Sequence, residues 1–112
     1  MQIRNQLSQL ESEWLAELLA ESKRDLVFLF NIEAGDFGGP KNLPERDRLM
    51  QVERMIRALL NSGCVVGYGD PKKSTWSAVP GLEVAHVDLP EAIMKLRRLE
   101  PEQYKFLTLT CT

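Results

Sequence analysis

The stretch from Arg46 to Trp76 constrains this chain more than any other. An amphipathic run with Leu49, Val52, Met55, Ile56, Leu59 and Leu60 on one face stops at Asn61-Ser62-Gly63. The apolar segment Cys64-Val65-Val66-Gly67-Tyr68 follows at once, then the turn Gly69-Asp70-Pro71-Lys72-Lys73 and a second short run ending on Trp76. Helical periodicity, a glycine that can take a left-handed backbone, and a short apolar run in close succession predict helix, strand, turn and strand. That order is the one in which a recognition helix precedes its wing. The rest of the chain must pack around this unit.

On either side the same reasoning gives further elements. Ser8 and Glu11 have the spacing of a capping box, and Leu10, Trp14, Leu15, Leu18 and Leu19 recur at helical intervals, predicting a first helix over 8–22. Glu11, Glu13, Glu17 and Glu21 are expected on its outer face. The run from Asp25 to Ile32, dense in Leu, Val and Phe, reads as a strand buried on both faces and central in its sheet. Gly35-Asp36-Phe37-Gly38-Gly39-Pro40 reads as a loop. The second helix is expected to start at Leu43-Pro44 with Asn42 as its cap.

Residues 82–87 alternate as a short exposed strand or an extended connector. Asp88-Leu89-Pro90-Glu91 opens a third helix, with Leu89, Ile93, Leu96 and Leu99 inward, that Pro101 ends. Residues 103–112 alternate as a closing strand that pairs with 25–32. The expectation is one compact α+β domain over 1–112: three helices with a small, mostly antiparallel sheet and a winged-helix-like helix–hairpin unit in the middle.

At 112 residues the chain can bury most of its unfolded surface without disulfides or metal. Its longest apolar run, Leu26–Phe30, is far too short to cross a bilayer, and the N-terminus has no signal-peptide pattern, so a cytoplasmic protein with no membrane partner is expected. Cys64 and Cys111 read as reduced cysteines packed as small hydrophobes.

Candidate chemistry is sparse. One histidine, His86, and two widely separated cysteines do not make a metal set. Cys64 with His86, and Glu33 with Asp36, are the only sketches of a nucleophile or an acid–base pair, and neither has supporting spacing. The loop before Lys41 lies between strand and helix but lacks the phosphate-loop pattern, and Asp36 would repel phosphate. No catalytic residue, cofactor or metal is therefore expected, and the chain reads as a non-enzyme.

Arg46, Arg48, Arg54, Arg57, Lys72 and Lys73 stand where a winged helix would meet phosphates. Asp47, Glu53 and Asp70 are interleaved with them, and the net charge is -2, so nucleic acid is a disfavoured partner. Protein contact fits better. Asp36 and Phe37 sit on the glycine-rich loop, and Tyr68, Asp70 and Trp76 flank the hairpin turn, where aromatic side chains suit an interface; Trp76 reads first as core packing against the second helix and second as a partner-binding aromatic.

The segment Leu59-Leu60-Asn61-Ser62-Gly63-Cys64-Val65-Val66-Gly67-Tyr68-Gly69-Asp70, followed by Trp76 and a proline-started helix from Leu89, resembles small bacterial immunity proteins. These neutralise toxins delivered by contact-dependent inhibition or related secretion systems. The resemblance spans roughly residues 25–110 and implies a cytosolic protein without activity of its own that binds a cognate toxin domain. Its motifs are structural, so it transfers no binding residues. A toxin nuclease is commonly basic, and acidic surface on this chain would speed encounter with one. The alternative is a winged-helix-like nucleic-acid-binding or regulatory protein.

Overall fold

The computed structural model describes residues 8–24, 27–68, 82 and 86–110. In chain order the elements are α1 (Gln9–Arg24), β1 (Val27–Phe28), α2 (Leu29–Glu33), α3 (Glu45–Asn61), β2 (Val65–Tyr68), a 3-10 turn (His86–Asp88), α4 (Leu89–Leu99), α5 (Pro101–Tyr104) and β3 (Leu107–Thr110). The fold is α+β, with a three-stranded antiparallel sheet in the order β1-β3-β2. Five helices stand among the described residues where three were expected; α2 and α5 are the additions.

The capping box forms as its spacing requires. Ser8 N–H donates to Glu11 Oε1 at 2.9 Å, and Glu11 N–H donates to Ser8 Oγ at 3.1 Å. Along α1 the buried positions are Glu11, Trp14, Leu18 and Ser22, one stripe at intervals of three and four. Glu11 therefore points inward with that stripe, not outward with Glu13 and Glu17. Leu10, one residue earlier, is turned to solvent at 57% exposure.

The expected strand over 25–32 is a strand only at Val27 and Phe28. Asn31 ends it: its Oδ1 accepts the Phe28 N–H at 3.0 Å, which closes a turn and starts α2. The central strand is instead β3, all four residues of which are buried. Its pairing with β1 (Val27↔Leu109, Phe28↔Thr108) is the contact foreseen between the closing strand and 25–32. Leu and Thr alternate along it. Both threonines are buried because Thr108 Oγ1 donates to the Gly67 carbonyl at 3.2 Å and Thr110 Oγ1 to the Ser22 carbonyl at 3.0 Å. Gln103 and Tyr104 belong to α5, so the closing strand is shorter than expected.

Helix α3 carries the core. Val52, Met55, Ile56, Leu59 and Leu60 are buried, and the helix touches α1, α2 and α4. Pro44, not Asn42, stands at its N-terminus, and Arg48 N–H donates to the Pro44 carbonyl. Asn42 instead adopts a left-handed backbone (φ 61°), which places it outside the capping geometry. The C-terminus is a Schellman motif: Cys64 N–H reaches Leu59 O and Gly63 N–H reaches Leu60 O, both at 3.1 Å, with Gly63 at φ 98°. That closure turns the chain directly into β2.

Strand β2 pairs with β3 in register from Val65↔Thr110 to Tyr68↔Leu107. The turn and second strand expected around Asp70 and Trp76 lie outside the described residues, so no wing hairpin stands among those described. Within the expected 82–87 extension, residues 86–88 form a 3-10 turn. Helix α4 starts at Leu89 with Pro90 in its first turn, as read, and buries Ile93; Leu99 is exposed at 61%, not inward. Pro101 both closes α4 and opens α5, the position where its missing N–H is harmless. Among the described residues no helix is long and apolar enough to cross a membrane.

Candidate functional site

The loop that joins α2 to α3 is built around one indole. Trp14, 2% exposed, donates its Nε1–H to the Asp36 carbonyl at 2.8 Å. Gly39 lies flat against the same ring; a Cβ there would sit 2.4 Å from Trp14 Cε2. The glycines that suggested a pliable loop thus let the backbone approach a buried side chain closely.

Asp36 completes the scaffold. Its Oδ2 accepts from Asn31 Nδ2 at 2.9 Å, and its Oδ1 accepts from Lys41 Nζ at 3.3 Å, while Lys41 also donates to the Ala34 carbonyl at 3.1 Å. Lys41 is thereby folded back onto its own loop. Phe37 is left facing outward at 37% exposure with φ 65°, a backbone region that bulky L-residues rarely occupy.

Tyr68 stands elsewhere, at the end of β2, and donates its OH to Gln103 Oε1 at 3.1 Å; partial burial pushes its pKa upward. Among the described residues no hydrogen bond links it to the Asp36–Phe37 turn. Asp70 and Trp76 lie outside the described residues.

Two carboxylates are far more deeply engaged than their sequence positions suggested. Glu11 receives Arg54 in a two-pronged pair, Nε to Oε2 at 3.1 Å and Nη2 to Oε1 at 3.0 Å, which ties α1 to α3. Burial raises the Glu11 pKa, but the Arg54 and Ser8 hydrogen bonds, the Arg54 charge and Gln51 outweigh it and leave the group below its ordinary value.

Glu33 is the centre of a second cluster. It accepts from Arg97 Nε at 2.5 Å, from Arg97 Nη2 at 3.2 Å and from Tyr104 OH at 2.7 Å, joining α2, α4 and α5. Arg97 Cζ also lies 5.7 Å from the Tyr104 ring centroid. Burial again raises the Glu33 pKa, and again the donors, together with the charges of Arg97 and Arg48, win and lower it. Burial and the Glu33 contact push Tyr104 well above the usual phenol range. The Glu33 contact raises the Arg97 pKa against the opposing effect of burial.

These groups are held in their structural charge states. Both perturbed carboxylates are shifted downward, the direction that keeps them ionised against their cationic partners. Glu33 and Asp36, once paired as a possible catalytic couple, point to different partners. Cys64 is buried, with Ser22 Oγ 3.9 Å from its Sγ; the His86 side chain and Cys111 lie outside the described residues. Among the described residues no three His, Cys, Asp or Glu side chains converge to hold a metal. On the presumed phosphate-facing side of α3, Arg54 is bound to Glu11 and Arg57 Nη2 lies 3.4 Å from Glu53 Oε2.

The Glu33 cluster and the Glu11–Arg54 pair were not legible from sequence. Each joins positions between 43 and 71 residues apart. The one available signal was the place of Glu11 on the Trp14–Leu18 stripe. Comparison with known protein families, with curated proteins and with solved structures finds no match.

Proposed function

We propose that this protein is a non-enzymatic protein-binding protein, an immunity protein that neutralises a cognate toxin domain by stoichiometric binding in the cytoplasm. The observation that carries the reading is Phe37: a half-exposed aromatic, held in a left-handed backbone on a loop anchored through Trp14 and Asp36. A preorganised aromatic loses little conformational freedom on binding, which is why such residues dominate interfaces. The inward-locked state of Glu11, Glu33, Arg97 and Tyr104 supports a binding role over a catalytic one.

The partner is a basic toxin domain, drawn by the net charge of -2. The test is calorimetric titration of the purified protein with the C-terminal domain of a large secreted toxin encoded beside its gene. One-to-one binding is expected, weakened by roughly 30-fold or more in Phe37→Ala, the loss typical of an interface anchor worth about 2 kcal/mol. The urea midpoint of that variant should fall only modestly, because the ring is partly exposed. Absence of binding by the parent protein would sink the reading.

A further inference from the structure

A cleft between α1 and α3 is lined by Glu11, Leu43, Asp47, Met50, Gln51 and Arg54, with a volume of about 340 Å³. It lies open to solvent rather than enclosed, so it suits a side chain laid along its wall better than an engulfed small molecule. The cleft adjoins the Phe37 loop: Glu11 lies one turn before Trp14 on the same buried stripe of α1, and Leu43 ends the loop that Trp14 anchors.

Its lining is chemically uneven. Leu43 and Met50 are apolar, and Met50 is exposed at 58%. Arg54 and Glu11 neutralise each other. Asp47 makes no ion pair among the described residues, so the lining carries one uncompensated negative charge. Gln51 adds polar lining, and its Oε1 is buried without a donor among the described residues. An apolar wall and a negative rim match an aliphatic stem with a cationic head. An anion would meet Asp47 and find the Arg54 fork already filled by Glu11.

The geometry points to this cleft as the receptor for a single lysine or arginine side chain of a basic protein partner. The stem lies along Leu43 and Met50 and the head meets Asp47. This assignment rests on the protein-binding function proposed above and extends the contact surface from Phe37 across α1 to α3.

The test needs no partner. Protein carrying ¹³C-methyl methionine is titrated with acetyl-Gly-Arg-Gly-amide, with its lysine counterpart, and with its glutamate counterpart as control. The variant Met50→Leu identifies the Met50 resonance. Both cationic peptides should shift Met50 saturably and leave buried Met55 unmoved, while the glutamate peptide shifts neither. Asp47→Asn should weaken the cationic peptides by roughly two- to fivefold, the range of a partly exposed ion pair. No saturable Met50 shift, an equal shift from the glutamate peptide, or unchanged binding in Asp47→Asn would each overturn the assignment. If the toxin domain still binds in a Phe37-dependent way, such a result removes the cleft alone. A working cleft with no toxin binding removes the immunity function instead.

Discussion

Gly39→Ala is the sharpest perturbation of the loop that presents Phe37. A Cβ at position 39 would lie 2.4, 2.5 and 2.8 Å from Trp14 Cε2, Cζ2 and Nε1. Carbon–carbon contact is comfortable near ~3.5–4 Å, so the overlap is at least about 1 Å. Trp14 is 2% exposed and rigid, and cannot swing into solvent to relieve it. Overpacking of this kind costs about 1–3 kcal/mol. If the loop lifts instead, the Trp14–Asp36 hydrogen bond goes with it, adding about 1 kcal/mol. The expected destabilisation is therefore about 2–4 kcal/mol, measured by urea denaturation with an unchanged slope. Gly38→Ala is the control: it has open space around its Cβ and suffers only from its left-handed backbone, φ 99°, costing about 1–2 kcal/mol. A loss below about 0.5 kcal/mol in Gly39→Ala would refute the packing of this loop on Trp14.

Arg54→Ala should destabilise by about 1–3 kcal/mol, less than the ~3–5 of a fully buried pair because Arg54 is one-third exposed; NMR titration should show the Glu11 pKa rising. Glu11 and Glu33 both ionise below the ordinary 4.5 in the fold, so protons bind the unfolded chain more readily. Their stabilisation is complete above pH 4.5 and is lost as pH falls through the depressed folded values; Glu33→Gln should flatten that acid limb in pH-dependent denaturation. Tyr104 shifts the other way, so its contribution is full below pH 10.0 and is lost as pH rises beyond it, a limb that Tyr104→Phe should remove. With Arg54 and Arg57 engaged by acids, gel-shift assays at moderate salt should show no duplex DNA binding; a steep salt slope would restore the recognition-helix alternative.

Local signals set the helical framework. The capping box at Ser8, the α3 face ending on Gly63, and Pro90 in the first turn of α4 are all decided within a few residues, so they were readable in order along the chain. Element boundaries failed where a side chain reached its own backbone. Asn31 turned an apolar run from strand to helix by accepting the Phe28 N–H, an outcome that hydrophobicity does not encode. The same limit explains the loop: Gly39 and Asp36 announced a turn, but only the arrival of Trp14 from 25 and 22 residues away made it a rigid platform for Phe37.

What the sequence determined by itself is the set of amphipathic helices and an α+β composition, because periodicity and caps act over one or two turns. Tertiary structure alone decided that β3 is central, that Glu11 and Glu33 face inward, and that a cleft opens between α1 and α3. A buried carboxylate is tolerable only when a distant donor meets it. The partner that makes it so, Arg54 or Arg97, is fixed by the packing of helices that the local pattern leaves unplaced.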